Sequence, residues 1–314
     1  MRSRRIDVHT HMIPDFWAKA RAARFGQPSW GTPAWSPEST FELMDRLEIQ
    51  TSILSLSAPS LLGWGGQERL DTCRRVNDFG AGLSKQYPGR FGFFATLALP
   101  DVDGAIAELR RASDELGADG VVLMSNYDGV YLGDEQLAPI WDELDRRGAV
   151  VFVHPCDPQI KPLPGIPGPV VDFPADTTRT AISLVSGGVM ERCKSIKVIL
   201  SHAGGFLPYA ATRFASLGNV YVSKDKSEKA WLRDLKTFYF DTALSTPNGL
   251  PSLMAFAAPG HVLFGSDHPY VPPSVLTTFN HELDAYDGFT PGQLLEINRG
   301  NACAVFPRLQ GTVR

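Results

Sequence analysis

Short runs of β-branched and aromatic residues recur along the whole chain, mostly separated by stretches with helical spacing. Eight such runs can be read, at residues 5–9, 52–57, 90–97, 120–125, 149–154, 197–202, 237–241 and 261–267. Parallel strands need a crossover of a dozen or more residues, usually a helix, and the gaps leave room for one each. The intervening segments carry that signal. Residues 37–47 put Phe41, Met44 and Leu47 on one face. Residues 69–87 repeat the pattern through Leu70, Cys73, Val76, Phe79 and Leu83, and stop at Tyr87-Pro88-Gly89. Residues 103–116 run to Gly117, and 134–147 to Gly148, each glycine a helix stop. Alternation repeated eight times predicts an α/β fold, a parallel (β/α)8 TIM barrel. A doubly wound open sheet is the competing fold, but no Gly-x-Gly-x-x-Gly follows an early strand.

Composition narrows the class. The chain has 314 residues, 43% hydrophobic and 20% charged, with a net charge of -4, which excludes disorder. No linker divides it, so one domain over residues 1–314 is expected. Nothing in the charge suggests a nucleic-acid or membrane-surface partner. No apolar run approaches the roughly 20 residues that cross a bilayer. The basic start lacks the apolar stretch of a signal peptide, and the four cysteines are scattered, so a cytoplasmic protein with reduced thiols is expected. Two segments break the rhythm. Residues 11–36 are rich in Trp and Pro, and residues 155–174 carry seven prolines. They follow the first and fifth strands, where barrel loops face the active site. They are read as loop insertions forming lids or substrate walls.

Chemistry in such a barrel sits at the C-terminal ends of the strands. Strand one ends His9-Thr10-His11, strand five at His154, strand six at His202 and strand eight at Asp267. Residues two apart on a strand share a face, so His9 and His11 can grip one ion. His154 and Asp267 complete a set of nitrogen and oxygen donors that suits zinc, and also manganese, iron or cobalt. An H-x-H pair alone is weak evidence; the convergence of five groups on one mouth is strong. A bridging group for a second ion is missing, because strand four ends Met124-Ser125-Asn126, so one divalent metal ion per subunit is expected. His202 is expected to act in acid–base chemistry or polarisation, with a fourth metal ligand as the alternative. The small Ala203-Gly204-Gly205 after it would leave room for a ligand. Asp241 either shapes the pocket or caps the next turn. His268 could orient Asp267 or line the pocket, but strand alternation turns it the other way. His261 and His281 read as surface residues, and Cys156 as an inert thiol.

These residues carry a resemblance. Ile6-Asp7-Val8-His9-Thr10-His11, Phe152-Val153-His154-Pro155, Ser201-His202-Ala203-Gly204-Gly205 and Phe264-Gly265-Ser266-Asp267-His268-Pro269 resemble the amidohydrolase superfamily. Within it, the chain resembles the aminocarboxymuconate-semialdehyde decarboxylase-like branch, which includes salicylate-type decarboxylases. The likeness extends over nearly the whole chain, through Pro88-Gly89-Arg90-Phe91, Pro174-Ala175-Asp176-Thr177-Thr178 and Asn298-x-x-Asn301-Ala302. It implies metal-dependent, non-oxidative decarboxylation of an ortho-hydroxybenzoate such as 6-methylsalicylate, or of a muconate-type acid. It implies His9, His11, His154 and Asp267 as metal ligands, with zinc favoured over manganese. It implies His202 as general acid/base, Asp267 as a second group able to handle the proton, and a homodimer. Arg213 stands where the namesake's arginine reaches a substrate carboxylate across the dimer interface. Cys156 replaces the namesake's tryptophan. The same parts would serve hydrolysis of a lactone, ester or amide, hydration of a double bond, or binding without turnover.

Overall fold

A computed structural model describes residues 4–310. The expected domain of residues 1–314 therefore includes two short ends, 1–3 and 311–314, outside the described residues. The strands are β1 (Arg5–Met12), β2 (Ile49–Leu56), β3 (Phe91–Thr96) and β4 (Gly120–Met124), then a small antiparallel hairpin of β5 (Asn126–Tyr127) and β6 (Val130–Tyr131). They continue with β7 (Val150–His154), β8 (Lys197–Leu200), β9 (Tyr239–Asp241) and β10 (Val262–Leu263). The eight large-sheet strands run parallel in chain order, β1-β2-β3-β4-β7-β8-β9-β10. Closure comes from backbone bonds between β1 and the chain after β10. Val8 N–H donates to Phe264 O at 3.0 Å, and His11 N–H to His268 O at 2.7 Å. The expected TIM barrel is thus the observed fold.

The crossovers are helices whose apolar faces cover the sheet. α1 (Asp15–Phe25) and α2 (Pro37–Arg46) follow β1. α3 (Gly66–Gln86), α4 (Val102–Asp114) and α5 (Ala138–Arg147) follow β2, β3 and the hairpin. α6 (Gly168–Ser186) and the short α7 (Val189–Arg192) follow β7. α8 (Leu207–Tyr221) and α9 (Glu228–Leu235) follow β8, α10 (Leu250–Phe256) follows β9, and α11 (Pro273–Asp284) follows β10. Ser36 caps α2 reciprocally with Ser39, with Pro37 at the first helical position. Gly148 ends α5 at φ 60°, the left-handed stop expected of it.

Inside the barrel, Phe94 and Phe152 stack at 5.4 Å, and Phe152 meets the His9 ring at 4.9 Å. Both are fully buried. Each such side chain contributes about 1.5–3 kcal/mol by leaving water, and together they floor the active-site end with a dry layer.

Three expectations about the segments need correction. The Trp-rich stretch is not one long loop. Its first half folds as α1, and Trp17 is core, its indole donating to Ser60 O at 3.0 Å. The proline-rich stretch becomes helix at Gly168, with Pro169 in the first turn, where its missing N–H costs nothing, and Pro174 inside. The last strand pairs with β9 only over Val262–Leu263, because the chain beyond it bonds to β1 instead.

Candidate metal centre

The site is built from a defect in β1. Asp7 pairs with Ser52 and Thr10 with Leu54, so three steps on β1 oppose two on β2. Such a bulge re-aims a side chain and frees backbone groups from the ladder. The freed His9 N–H donates to Asp7 Oδ1 at 3.0 Å. His9 O accepts the N–H groups of Ser266 at 3.1 Å and Asp267 at 2.7 Å. Asp7 also takes the Ser266 hydroxyl at 2.6 Å. Burial pushes the Asp7 carboxyl up to about 7, against these hydrogen bonds. Gly265 is required at this close approach to β1, since a Cβ there would stand 2.8 Å from His9 Cβ. The turn delivers Asp267 in a left-handed conformation, φ 63°.

Each imidazole is held by its Nδ1. His9 Nδ1 pairs with Asp241 Oδ2 at 2.8 Å, His11 Nδ1 with Ser55 Oγ at 2.9 Å, and His154 Nδ1 with Pro155 O at 2.8 Å. That leaves three Nε2 atoms facing one point. Asp267 Oδ1 joins them, 3.0 Å from His11 Nε2 and 3.2 Å from His9 Nε2. One ligand atom from each of His9, His11, His154 and Asp267 lies within 4.8 Å of the others. The Nε2 atoms of His9 and His154 are buried and make no hydrogen bond. Buried nitrogens without a partner are costly, and a divalent cation is the partner their convergence fits. The donor set of three imidazoles and one carboxylate suits a catalytic ion with open positions.

The carboxylates make the centre attractive to positive charge. Burial opposes charge on His9, yet Asp241 and Asp267 outweigh it and carry the imidazole up to about 10. Burial and the neighbouring His11 and His9 hold His154 well below its ordinary range. Burial would raise Asp267, but His9, His11 and His202 hold it well below the usual carboxylate range.

His202 stands beside the four donors and not among them. Its strand ends earlier than expected, at Leu200, and His202 begins a tight turn at φ 53°, followed by Ala203 at 56°. Consecutive left-handed residues other than glycine are strained and mark a functional site. His202 N–H donates to Asp241 Oδ1 at 2.9 Å, and its Nε2 lies 3.2 Å from Asp267 Oδ2. Of the two alternatives expected of Asp241, the turn cap is the one observed, and the residue does not line the cavity. It orients His9, and it caps the following turn by accepting Ala243 N–H at 2.9 Å. Ala203 and Gly205 line the cavity, and Gly205 has a second role. A Cβ there would fall 2.0 Å from Pro174 O, so glycine lets α6 approach the turn.

A cavity of about 660 Å³ opens over the centre. Trp30, Phe173, Pro174, Phe206 and Tyr270 supply much of its wall, with His154, His202 and Asp267 at its floor. Trp30 and Phe173 meet edge to face at 5.1 Å, so the segments after β1 and β7 join above the site. Arg213 lies exposed on α8, outside the lining of its own chain's cavity. His268 is buried, brought down to about 4 by burial, and does not line the cavity. Burial pushes the Cys156 thiol up to about 12, as suits an inert residue. His281 is exposed as expected, but His261 is half-buried and stacks on Tyr239 at 3.9 Å. Sequence reasoning missed Ser55 and Asp7. A hydroxyl within the apolar run Ile53-Leu54-Ser55-Leu56 was the available signal for the first.

A parallel barrel with three histidines and an aspartate gathered at its C-terminal mouth defines a metal-dependent enzyme scaffold. The chain belongs to the amidohydrolase family, whose model matches residues 6–308. It is 41% identical to decarboxylase macB of Penicillium terrestre, over 98% of this chain and 96% of that protein. It is 39% identical to the 6-methylsalicylic acid decarboxylase acuB of Aspergillus aculeatus, over 98% of this chain and 97% of that one. The crystal structure of an amidohydrolase II superposes with a TM-score of 0.91 at 35% identity, covering 96% of this chain and 99% of that one.

Proposed function

We propose that the protein is a metal-dependent carboxy-lyase that removes CO2 from an ortho-hydroxybenzoate such as 6-methylsalicylate. The observation that carries this reading is the likeness, over 98% of the chain, to a 6-methylsalicylic acid decarboxylase. The site supports it. His9, His11, His154 and Asp267 would hold one divalent ion, zinc in this reading with manganese as the alternative. When bound, the ion supplies Lewis acidity that draws charge from the ring during loss of CO2. The chain's own residues do the rest. Trp30, Phe173 and Phe206 offer aromatic surface to a planar ring and exclude water from it. As the ring–carboxyl bond breaks, its electron pair stays on the ring carbon, which then takes a proton. His202 Nε2 and Asp267 Oδ2, 3.2 Å apart at the cavity floor, are the pair that can hold and deliver it.

The functional unit in this reading is a homodimer of single-domain subunits in the cytoplasm. Exposed apolar side chains on α8, including Tyr209 at 83% and Tyr221 at 79%, support self-association through that helix. Arg213 shares the helix, so it would reach a substrate carboxylate only from a second copy. Four free cysteines fit a reducing compartment. Among the described residues no helix is long and apolar enough to cross a membrane.

The test is mass spectrometry of products from zinc- or manganese-loaded protein given ortho-hydroxybenzoates, muconate-type acids, lactones and esters. Conversion of 6-methylsalicylate to 3-methylphenol is the expected result. Gain of water without loss of CO2 would make the protein a hydrolase or hydratase.

A further inference from the structure

Resting on the decarboxylase reading, we infer that the β9–α10 side of the cavity is a subsite for an uncharged polar substituent on the substrate ring. The cavity, at about 660 Å³, lies in the range that ordinarily buries a drug-sized ligand, and a single methylated ring fills only part of it. Its walls differ. Trp30, Phe173 and Phe206 are apolar, whereas the segment after β9 brings Ser245, Thr246, Asn248 and Ser252 to the lining.

These four polar groups are not equivalent. Ser245 donates to Ala243 O at 2.9 Å and Thr246 to Phe279 O at 2.6 Å, so both hydroxyls are committed to their own segment. The side chains of Asn248 and Ser252 hydrogen-bond no described residue. Asn248 is exposed and Ser252 half-buried, so in the free protein both can face water at little cost. An alkyl chain laid over them would strip that water and leave donors and acceptors unmatched, whereas a hydroxyl, ketone or amide would replace it. A wall of this kind discriminates more sharply against a hydrocarbon than an apolar wall does against a hydroxyl. Among the described residues no lysine or arginine lines the cavity, so the geometry points to a neutral substituent and not to a second carboxylate.

The experiment compares salicylates bearing a short hydroxyalkyl chain with salicylates bearing the alkyl chain of equal length, at each open ring position in turn. Zinc-loaded full-length protein is used, with 6-methylsalicylate as reference. At one ring position kcat/KM is expected to favour the hydroxyalkyl acid by about tenfold, the worth of a satisfied hydrogen bond. Asn248→Leu combined with Ser252→Ala should abolish that preference, and Ser252→Ala alone should reduce it. Melting curves confirm that the variants fold. Equal rates for both acids at every position overturn the subsite, and so does a preference that survives in both variants. If 6-methylsalicylate itself loses no CO2, the decarboxylase reading fails separately. Calorimetry then decides the subsite, selective binding of the hydroxyalkyl acid supporting it and equal binding overturning it.

Discussion

His9, buried, and His202, half-buried, both stand beside Asp267, yet their ring nitrogens are committed differently. His9 has Nδ1 tied to Asp241 and Nε2 aimed at the common point, the arrangement of a metal ligand. His202 is outside the four-donor group and contacts only the outer oxygen of Asp267. Replacing it should therefore separate chemistry from metal binding. His202→Asn is expected to lower kcat by about 10²–10⁴-fold, the usual contribution of a positioned acid or base. Metal content by elemental analysis should stay at the wild-type level; loss of the ion would make His202 a ligand. Asp241→Asn acts in the opposite order. It weakens the hold on His9 Nδ1, so metal affinity should fall about 10–100-fold, measured by competition with a chelator. Unchanged affinity would reduce Asp241 to a turn cap. The four candidate ligands were legible in the sequence from the H-x-H pair on the first strand run and from the residues closing two later runs. Ser55 was not, since only the folded register of β1 against β2 brings its hydroxyl under His11.

Among the elements, helix positions followed from periodicity, while two irregular segments did not. The apolar spacing of residues 37–47 announced α2, and a glycine in left-handed conformation closed α5. The Trp-rich segment misled because tryptophan serves two ends: Trp17 fills the core under α1, and Trp30 faces the cavity. The strand pairing with β9 was read too long because Phe264-Gly265-Ser266 continues the compact run but bonds to β1 instead of β9. Between crossovers, Glu143 on α5 gathers three arginines. It accepts from Arg146 at 2.7 Å, Arg147 at 2.8 Å and, from α4, Arg110 at 3.2 Å. Arg146 foremost, with Arg110 and Arg147, holds this carboxyl well below the usual range despite its burial. A depressed carboxyl stabilises the fold above the ordinary Glu range and loses that contribution as pH falls through it. Glu143→Gln should therefore lower Tm by about 2–4 °C at pH 7, a small effect because Arg110 and Arg146 are well exposed. The gap to wild type should close as pH drops below about 4. A gap that widens in acid would contradict the assignment.

At the scale of the whole molecule, the centre ties the first strand to the last. His9 and His11 lie on β1, Asp267 follows β10, and the backbone bonds that close the barrel flank all three. An ion held there binds only the closed form, so it stabilises the fold by mass action. Removing it with a chelator should lower Tm, and adding zinc or manganese should restore it in proportion to occupancy. A melting temperature indifferent to the ion would mean that the four donors do not hold it. The barrel was legible from eight strand runs, but the contacts that seat Asp267 beside β1 were not, because they join residues more than 250 positions apart.

The most direct measurement of the central claim uses 6-methylsalicylate labelled with ¹³C at the carboxyl group. Release of labelled CO2 is followed with the loaded protein, after chelation, and after the ion is returned. The account predicts release that disappears with the ion and returns with it, and none from His154→Asn at any ion concentration that saturates wild type. Undiminished release from ion-free protein, or from His154→Asn, would contradict it.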